Sequence, residues 1–413
     1  MDNVPVFRRG SSRRQFLGFA GTFGYLSLAG WARDALADLP QDRIAAVTAT
    51  PVTVPGRLTL GPVQREITMG GVVVEVTTAG GVTGIGFTSI TNSAVVASAI
   101  DVAAREIDAL DAFAREAVAE RLFQLLTPRG QTGHAVHALS AIDIALWDVL
   151  GKRLEQPVWR LLGGARPSVP TYTTFGMAYM DRDELAAAAS HLVDIGQRRL
   201  KMVVAANAAA RIGGGQSIED ILREDVQRIR VVREAVGSEA EIFIDANHAL
   251  DPYHARRFIE RIAEYDIAFF EEPLRGNDVG RLADLRRTSH MRIGAGQNEG
   301  HLRRFRDLVA GDAVDILQLN VCIGGGFTAG LKIAAIAQAW GVPIDNGGGY
   351  ALYNAHLHAG VANGGMAEWH MGAVALEREL YLERFELDAD RLVLSDRPGV
   401  GLSIDPITLR SFA

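Results

Sequence analysis

The hydrophobic texture of the chain changes twice along its length. From residue 42 to about 165, apolar runs such as Val72-Val73-Val74-Glu75-Val76 read as strands, with Gly80-Gly81 as a hairpin turn. Leu139, Ile142, Leu146 and Val149 then recur at i, i+3, i+7 and i+10, which predicts a helix with one buried face that stops at Gly151. Residues 42–165 are therefore expected to form an α+β domain, with Pro167 and Pro170 at its boundary.

From about 170 to 380, short apolar runs alternate with helical stretches. The predicted strands are Tyr172–Phe175, Leu200–Val204, Glu241–Asp245, Ala268–Glu271, Arg292–Ala295, Ile316–Leu319, Val342–Asp345 and Ala367–Trp369. Eight strands separated by helices predict an α/β fold of the TIM type, a (β/α)8 barrel whose functional side chains sit where strands end. Asp245, Glu271 and Gln297 follow one another at intervals of 26 residues. Three polar side chains one βα unit apart are thus expected at one barrel mouth.

Ahead of both regions, Ser12-Arg13-Arg14-Gln15-Phe16-Leu17-Gly18 opens a short apolar run that ends near Ala35-Leu36-Ala37, a small-x-small cleavage pattern. Residues 1–37 read as a twin-arginine export signal, too short in its apolar run to span a membrane. Cleavage after Ala37 would remove five Arg and two Asp and shift the net charge from −7 to about −10. No later segment has the roughly 18 apolar residues a span needs. With 413 residues, 48% of them hydrophobic and 22% charged, the chain is long and apolar enough for a large core. Its acidic balance excludes nucleic acid as a partner. The single Cys322 excludes an intramolecular disulfide framework and any cysteine-rich metal cluster.

Two further segments, Ser140-Ala141-Ile142-Asp143-Ile144-Ala145-Leu146-Trp147-Asp148 and Pro157-Val158-Trp159-Arg160-Leu161-Leu162-Gly163-Gly164, stand in fixed order with Asp245-Ala246-Asn247, Glu271-Glu272-Pro273 and Gly325-Gly326-Phe327-Thr328. Together they resemble the mandelate racemase/muconate lactonizing enzyme branch of the enolase superfamily over roughly residues 42–405. The resemblance implies a capping domain over the barrel mouth, completed by residues 385–413. It also implies removal of a proton α to a carboxylate, with Mg2+ (or Mn2+) stabilising the enediolate that forms. Asp245 and Glu271 fill the first two metal-ligand positions of that pattern. The third holds Gln297 where a glutamate is usual, so the ion is expected to bind weakly, with Glu299 or Asn247 as possible compensation.

The proton-transfer residues depart further from the pattern. The family's Lys-x-Lys is Lys201-Met202-Val203 here, and the positions of its Asp and His dyad hold Asn320 and Gly347 or Gly348. A two-base racemase of the mandelate type is therefore not expected. Lys201 remains, either as a base of depressed pKa or as a fixed cation that pairs with a carboxylate. His248, in the loop after Asp245, and His301, after the fifth strand, are candidate acids or bases. Asp345 keeps a carboxylate near the lost histidine, or caps the Gly347-Gly348-Gly349 turn. Glu368 matches a position that hydrogen-bonds the substrate carboxylate when protonated. His356 and His358 lie two apart on a helix and cannot chelate one ion, so packing is expected for them. Neither Gly213-Gly214-Gly215 nor Gly347-Gly348-Gly349 has the spacing of a nucleotide loop.

The sequence thus points to a periplasmic, metal-dependent lyase acting on a small carboxylate substrate, a sugar acid that loses its β-hydroxyl. An isomerase, cycloisomerase or racemase on the same scaffold is the nearest alternative. A barrel that only binds carboxylates is the alternative of another class. A homo-oligomer and passage through the twin-arginine machinery are expected.

Overall fold

The computed structural model describes residues 42–127 and 130–413, and the export signal read in residues 1–37 lies outside them. The cap begins with an antiparallel sheet, β1 (Ile44–Leu60), β2 (Val63–Thr78) and β3 (Thr83–Ser89). Along β1, Val52, Val54, Gly56, Leu58 and Leu60 are buried while the residues that alternate with them face solvent, the two-residue alternation of a half-covered strand. The β1–β2 hairpin turns at Gly61-Pro62, with Gly61 at φ 59°. A Cβ on Gly61 would lie 2.8 Å from His191, so the tip rests on the helix Arg182–Asp194.

Helices Ser93–Ile107, Arg115–Leu126 and His134–Arg153 follow. The last carries the predicted apolar face but does not stop at Gly151. A Cβ there would lie 2.6 Å from Gly399 Cα, so Gly151 permits a close approach of the C-terminal segment while the helix runs on to Arg153.

Eight parallel strands then form the barrel: β4 (Ser168–Gly176), β5 (Arg199–Val203), β6 (Glu241–Asp245), β7 (Ile267–Glu271), β8 (Arg292–Ala295), β9 (Ile316–Leu319), β10 (Ile344–Asn346) and β11 (Ala367–His370). Their order is β10-β9-β8-β7-β6-β5-β4-β11. The remaining seam closes through Asn346 N donating to Met366 O at 2.8 Å and Glu368 N donating to Asn346 Oδ1 at 2.9 Å. All eight predicted strands are present.

The motif helix of the cap docks on the barrel by specific polar contacts. Gly325 N donates to Ser140 Oγ at 2.8 Å, Thr328 N to Asp143 Oδ2 at 3.0 Å, and Trp147 Nε1 to Thr328 Oγ1 at 3.0 Å. Buried Asp148 accepts from Ile85 N and Val400 N, both at 2.8 Å. The C-terminal segment, expected to complete the cap, first adds β12 (Arg391–Val393) antiparallel to the start of β4. It reaches the cap only afterwards, at Val400 and through the helix Pro406–Phe412 beside β1. No helix among the described residues is long and apolar enough to cross a membrane.

Candidate active site

Strand alternation sorts the barrel interior into layers. Tyr172, Phe243, Phe269 and Ile316 form an apolar layer, with the Phe243 and Phe269 rings stacked at 4.2 Å. Two residues further along β6 and β7, towards the mouth, stand Asp245 and Glu271, and β5 and β11 bring Lys201 and Glu368 to the same place. Lys201 Nζ lies 2.6 Å from Glu271 Oε2, 2.9 Å from Glu368 Oε1 and 3.3 Å from Asp245 Oδ2. All four side chains are buried.

Three carboxyl groups around one ammonium would carry an excess of two negative charges if all were ionised. Burial and Asp245 push the Glu271 carboxyl well above the usual range, with Lys201 opposing, and burial raises Asp245 to about 6. Burial also disfavours the Lys201 charge, but Glu271 and Glu368 outweigh it and drive the ammonium well above the ordinary lysine value. These contacts favour the second of the two expectations for Lys201, a fixed cation that pairs with carboxylates, over a base of depressed pKa. Burial opposes ionisation of Glu368 too, yet Lys201 holds its carboxyl below the usual range. Glu368 Oε1 accepts from Thr174 Oγ1, and Oε2 from Gly349 N at 2.8 Å. An ionised Glu368 has no proton to donate, against the role expected for it.

Two buried oxygens at this layer have no partner, Glu271 Oε1 and Gln297 Oε1. Both face the backbone of Gly347: a Cβ there would lie 2.7 Å from Glu271 Oε1 and 3.0 Å from Gln297 Oε1. Gln297 Nε2 donates to Asn247 Oδ1 at 3.4 Å, which directs Gln297 Oε1 inward. Among the described residues no group of three or more His, Cys, Asp or Glu could hold an ion. The donor set that does fit a hard divalent cation is Asp245, Glu271 and the neutral carbonyl of Gln297, with two unpaired oxygens and two carboxyl groups that a cation would keep ionised. Glu299 is not part of it, because Arg304 Nε and Nη2 hold its carboxylate at 3.0 and 3.1 Å.

In the loops that follow the same strands a second pair forms. Asn247 and His248 both adopt positive φ, 44° and 59°, and His248 Nε2 lies 2.9 Å from Glu272 Oε2 and 2.9 Å from Asn298 Nδ2. Glu272 is fully buried and also accepts from Asn277 Nδ2 at 3.0 Å and Asn298 Nδ2 at 2.6 Å. Burial opposes both charges, but each partner sustains the other: Glu272 is lowered and His248 raised. His248 Nδ1 is buried without a partner. Glu272 was not among the residues expected from the sequence. Its signal was present, since Asn298 follows Glu272 by the same 26 residues that separate Gln297 from Glu271.

The structure does not bring His301 or Asp345 to this site. His301 Nδ1 accepts from Arg303 N at 3.1 Å and caps the helix Leu302–Ala310, while its ring lies 4.9 Å from that of Phe123. Asp345 Oδ1 accepts from Met366 N at 2.6 Å, and the cations it senses are Arg292 and Arg199, which begin β8 and β5 at the end remote from the mouth. Asn320, at the lost aspartate position, donates to Gly347 O at 2.8 Å and Gly349 O at 3.2 Å, so it clamps the glycine turn. His356 is satisfied by Trp159 N and Val400 O. His370, two residues beyond Glu368, was overlooked in the sequence and its ring stands beside the mouth.

Comparison with known proteins identifies both domains. Residues 43–163 match the mandelate racemase/muconate lactonizing enzyme N-terminal domain, and residues 184–408 the enolase C-terminal domain-like family. The chain is 30% identical over 292 residues to an arabinonate dehydratase of Saccharolobus solfataricus, covering 69% of this chain and 74% of that protein. It is 30% identical over 338 residues to a 3,6-anhydro-alpha-L-galactonate cycloisomerase of Streptomyces coelicolor, covering 81% and 89%. A racemase structure from Streptomyces coelicolor A3(2) with bound magnesium superposes with a TM-score of 0.79 at 27% identity, over 90% of this chain and 99% of that one.

Proposed function

The chain belongs to the mandelate racemase/muconate lactonizing enzyme family of the enolase superfamily, and on that premise we propose that it is a divalent-metal-dependent carbon-oxygen lyase. Its substrate is a hydroxycarboxylate, a sugar acid, which loses its α-proton and its β-hydroxyl. The observation that carries this reading is the pair of unpartnered oxygens, Glu271 Oε1 and Gln297 Oε1, inside a layer where three carboxyl groups converge on one ammonium. The dehydratase among the relatives and the magnesium in the racemase structure support it.

Asp245, Glu271 and Gln297 would hold the ion, weakly because one ligand is neutral. Mg2+ bound there would supply a Lewis acid for the substrate carboxylate. Lys201 remains charged and holds Asp245, Glu271 and Glu368 in place. Proton transfer falls to His248. Its neutral imidazole takes the α-proton, Glu272 stabilises the imidazolium, and the same proton passes to the β-hydroxyl as the C–O bond breaks and water leaves. One residue on one face thus suffices for the elimination, and the enol left behind ketonises to a 2-keto acid.

The ion-paired state of Lys201 and the clamping role of Asn320 favour a second reading, a barrel that binds carboxylates without chemistry. Incubating the protein with a library of acid sugars and Mg2+ in D2O separates the two. Keto-acid formation or deuterium at the α-carbon supports the lyase. Binding with no exchange for any acid overturns it.

The paired arginines and small-x-small pattern ahead of residue 42 support export through the twin-arginine route and a periplasmic location.

A further inference from the structure

Asn320 and the Gly347-Gly348-Gly349 turn stand where the family carries its Asp and His dyad, and they are built into each other. Gly348, Gly349 and Tyr350 take positive φ in succession, 78°, 77° and 59°. A left-handed run is unfavourable, above all for the tyrosine, whose Cβ crowds the following carbonyl, so the neighbours must hold it. Three fully buried asparagines do so through the carbonyls. Gly347 O accepts from Asn320 Nδ2 and Asn346 Nδ2, each at 2.8 Å, and Gly349 O accepts from Asn320 Nδ2 and Asn354 Nδ2, each at 3.2 Å.

This clamp fixes the direction of one amide. In a trans peptide the N–H points opposite to the preceding carbonyl, and the described residues contain no cis peptide. Gly347 O is turned into the asparagines, so Gly348 N–H points away from them. Gly348 is also the one residue of 344–350 that is not buried. A Cβ on it would lie 3.4 Å from Gln297 Oε1 and 3.4 Å from Ile90 Cδ1, in the cap loop after β3, so its open side is the barrel mouth beside the cation cradle. Gln297, 5% exposed, aims its unpartnered Oε1 at the same turn. Among the described residues Gly348 N–H meets no acceptor, whereas Gly349 N–H donates to Glu368 Oε2 at 2.8 Å.

We propose that Gly348 N–H is a main-chain donor to a carboxylate oxygen of the substrate, placed next to the cradle of Asp245, Glu271 and Gln297. This rests on the reading of the mouth as a carboxylate-binding site and adds a binding group to it. A fixed, neutral donor there bonds more strongly as the oxygen gains charge in the enediolate. The two departures from the family's dyad then serve one purpose. Asparagine at 320 supplies the N–H bonds that turn Gly347 O aside, which an ionised aspartate has no proton to make. Glycine at 348 adopts the left-handed turn and leaves its own N–H uncovered by a side chain.

The test uses the full chain labelled with 15N-glycine and the probe 2-hydroxyisobutyrate, which has a carboxylate and an α-hydroxyl but no α-proton to lose. Calorimetry in Mg2+ measures binding of the acid. NMR follows the Gly348 and Gly349 amides in the free protein, with Mg2+ alone, and with Mg2+ and the acid. Gly348 N–H should exchange freely in the first two states. With the acid its exchange should slow by about tenfold or more and its proton should shift downfield, the signs of a new hydrogen bond. Gly349 N–H, already bonded to Glu368, should be protected in all three. Binding of the acid with Gly348 exchange unchanged, slower exchange without the downfield shift, or a Gly348 amide protected before the acid is added overturns the proposal and leaves the carboxylate site standing. No binding of the acid in Mg2+ overturns both.

Discussion

Lys201 Nζ meets Glu271 at Oε2, 2.6 Å away, and leaves Oε1 of the same carboxylate facing Gly347. The lysine therefore decides which oxygen of Glu271 is free for a cation. Among the described residues it is also the only lysine or arginine paired with these three buried carboxyl groups. Lys201→Met should destabilise the metal-free protein by about 3–5 kcal/mol, because it leaves buried charge uncompensated. Added Mg2+ should recover part of the loss. Thermal denaturation with and without Mg2+ measures both effects, and an unchanged melting temperature in the metal-free variant would contradict the fixed-cation role.

The cradle makes a paired prediction. Gln297→Glu adds a full charge beside the free oxygen of Glu271 and should tighten Mg2+ by about tenfold or more in calorimetry. Gly347→Ala should abolish binding with the fold intact by circular dichroism, since its Cβ would lie 2.7 Å from Glu271 Oε1 and 2.9 Å from Gln297 Cβ. Undiminished binding by Gly347→Ala would place the ion elsewhere.

Much of this site was legible from period and spacing, and the failures have particular causes. The 26-residue recurrence placed Asp245, Glu271 and Gln297 at one mouth because each βα unit returns the chain to the same rim. The same recurrence relates Glu272 to Asn298, but a buried carboxylate serving a histidine cannot be told from a solvent-facing one without tertiary contacts. Asp345 and Gly347 are two residues apart and face the same interior, yet the layer between them decides that one is structural and the other borders the cation cradle. Strand stagger sets that layer, and stagger is a property of the closed barrel. The state of Lys201 was open for a similar reason. Its charge depends on how many carboxylates converge on it, and these come from three other strands.

His248 and Glu272 should behave as a unit. His248→Asn is expected to lower kcat by about two orders of magnitude or more once a substrate is found. Glu272 holds the His248 pKa above 6.5, so kcat/KM should rise with pH as the imidazole loses its proton, through an ionisation above that value. Glu272→Gln removes the stabilising charge, and its rising limb should shift to lower pH. A pH profile identical to that of the wild type would exclude Glu272 as the partner that sets it.

For export, replacing both Arg13 and Arg14 with lysine should hold the precursor in the cytoplasm. Cell fractionation reads the result, and unimpaired delivery of the variant would mean that another route operates.

The last prediction concerns Glu377, which takes no part in the site. It lies on the helix Met371–Leu380, fully buried, with neither carboxylate oxygen partnered, and its charge would be felt by Cys322, Tyr350, Tyr353 and Tyr381. Burial pushes its pKa up to about 8 from the ordinary 4.5. Between those two values the folded protein keeps a proton that the unfolded chain has released. Protonation then favours the folded state, so stability from this group is fully present below 4.5 and falls as pH rises towards 8, at about 1.4 kcal/mol per pH unit. Glu377→Gln has the same shape and no proton to lose. Guanidinium denaturation at pH 5, 6.5 and 8 should show the variant gaining on the wild type at each step, with little separation at pH 5. Parallel stability curves across that range would mean that Glu377 acquires a hydrogen-bond or cation partner that holds it ionised.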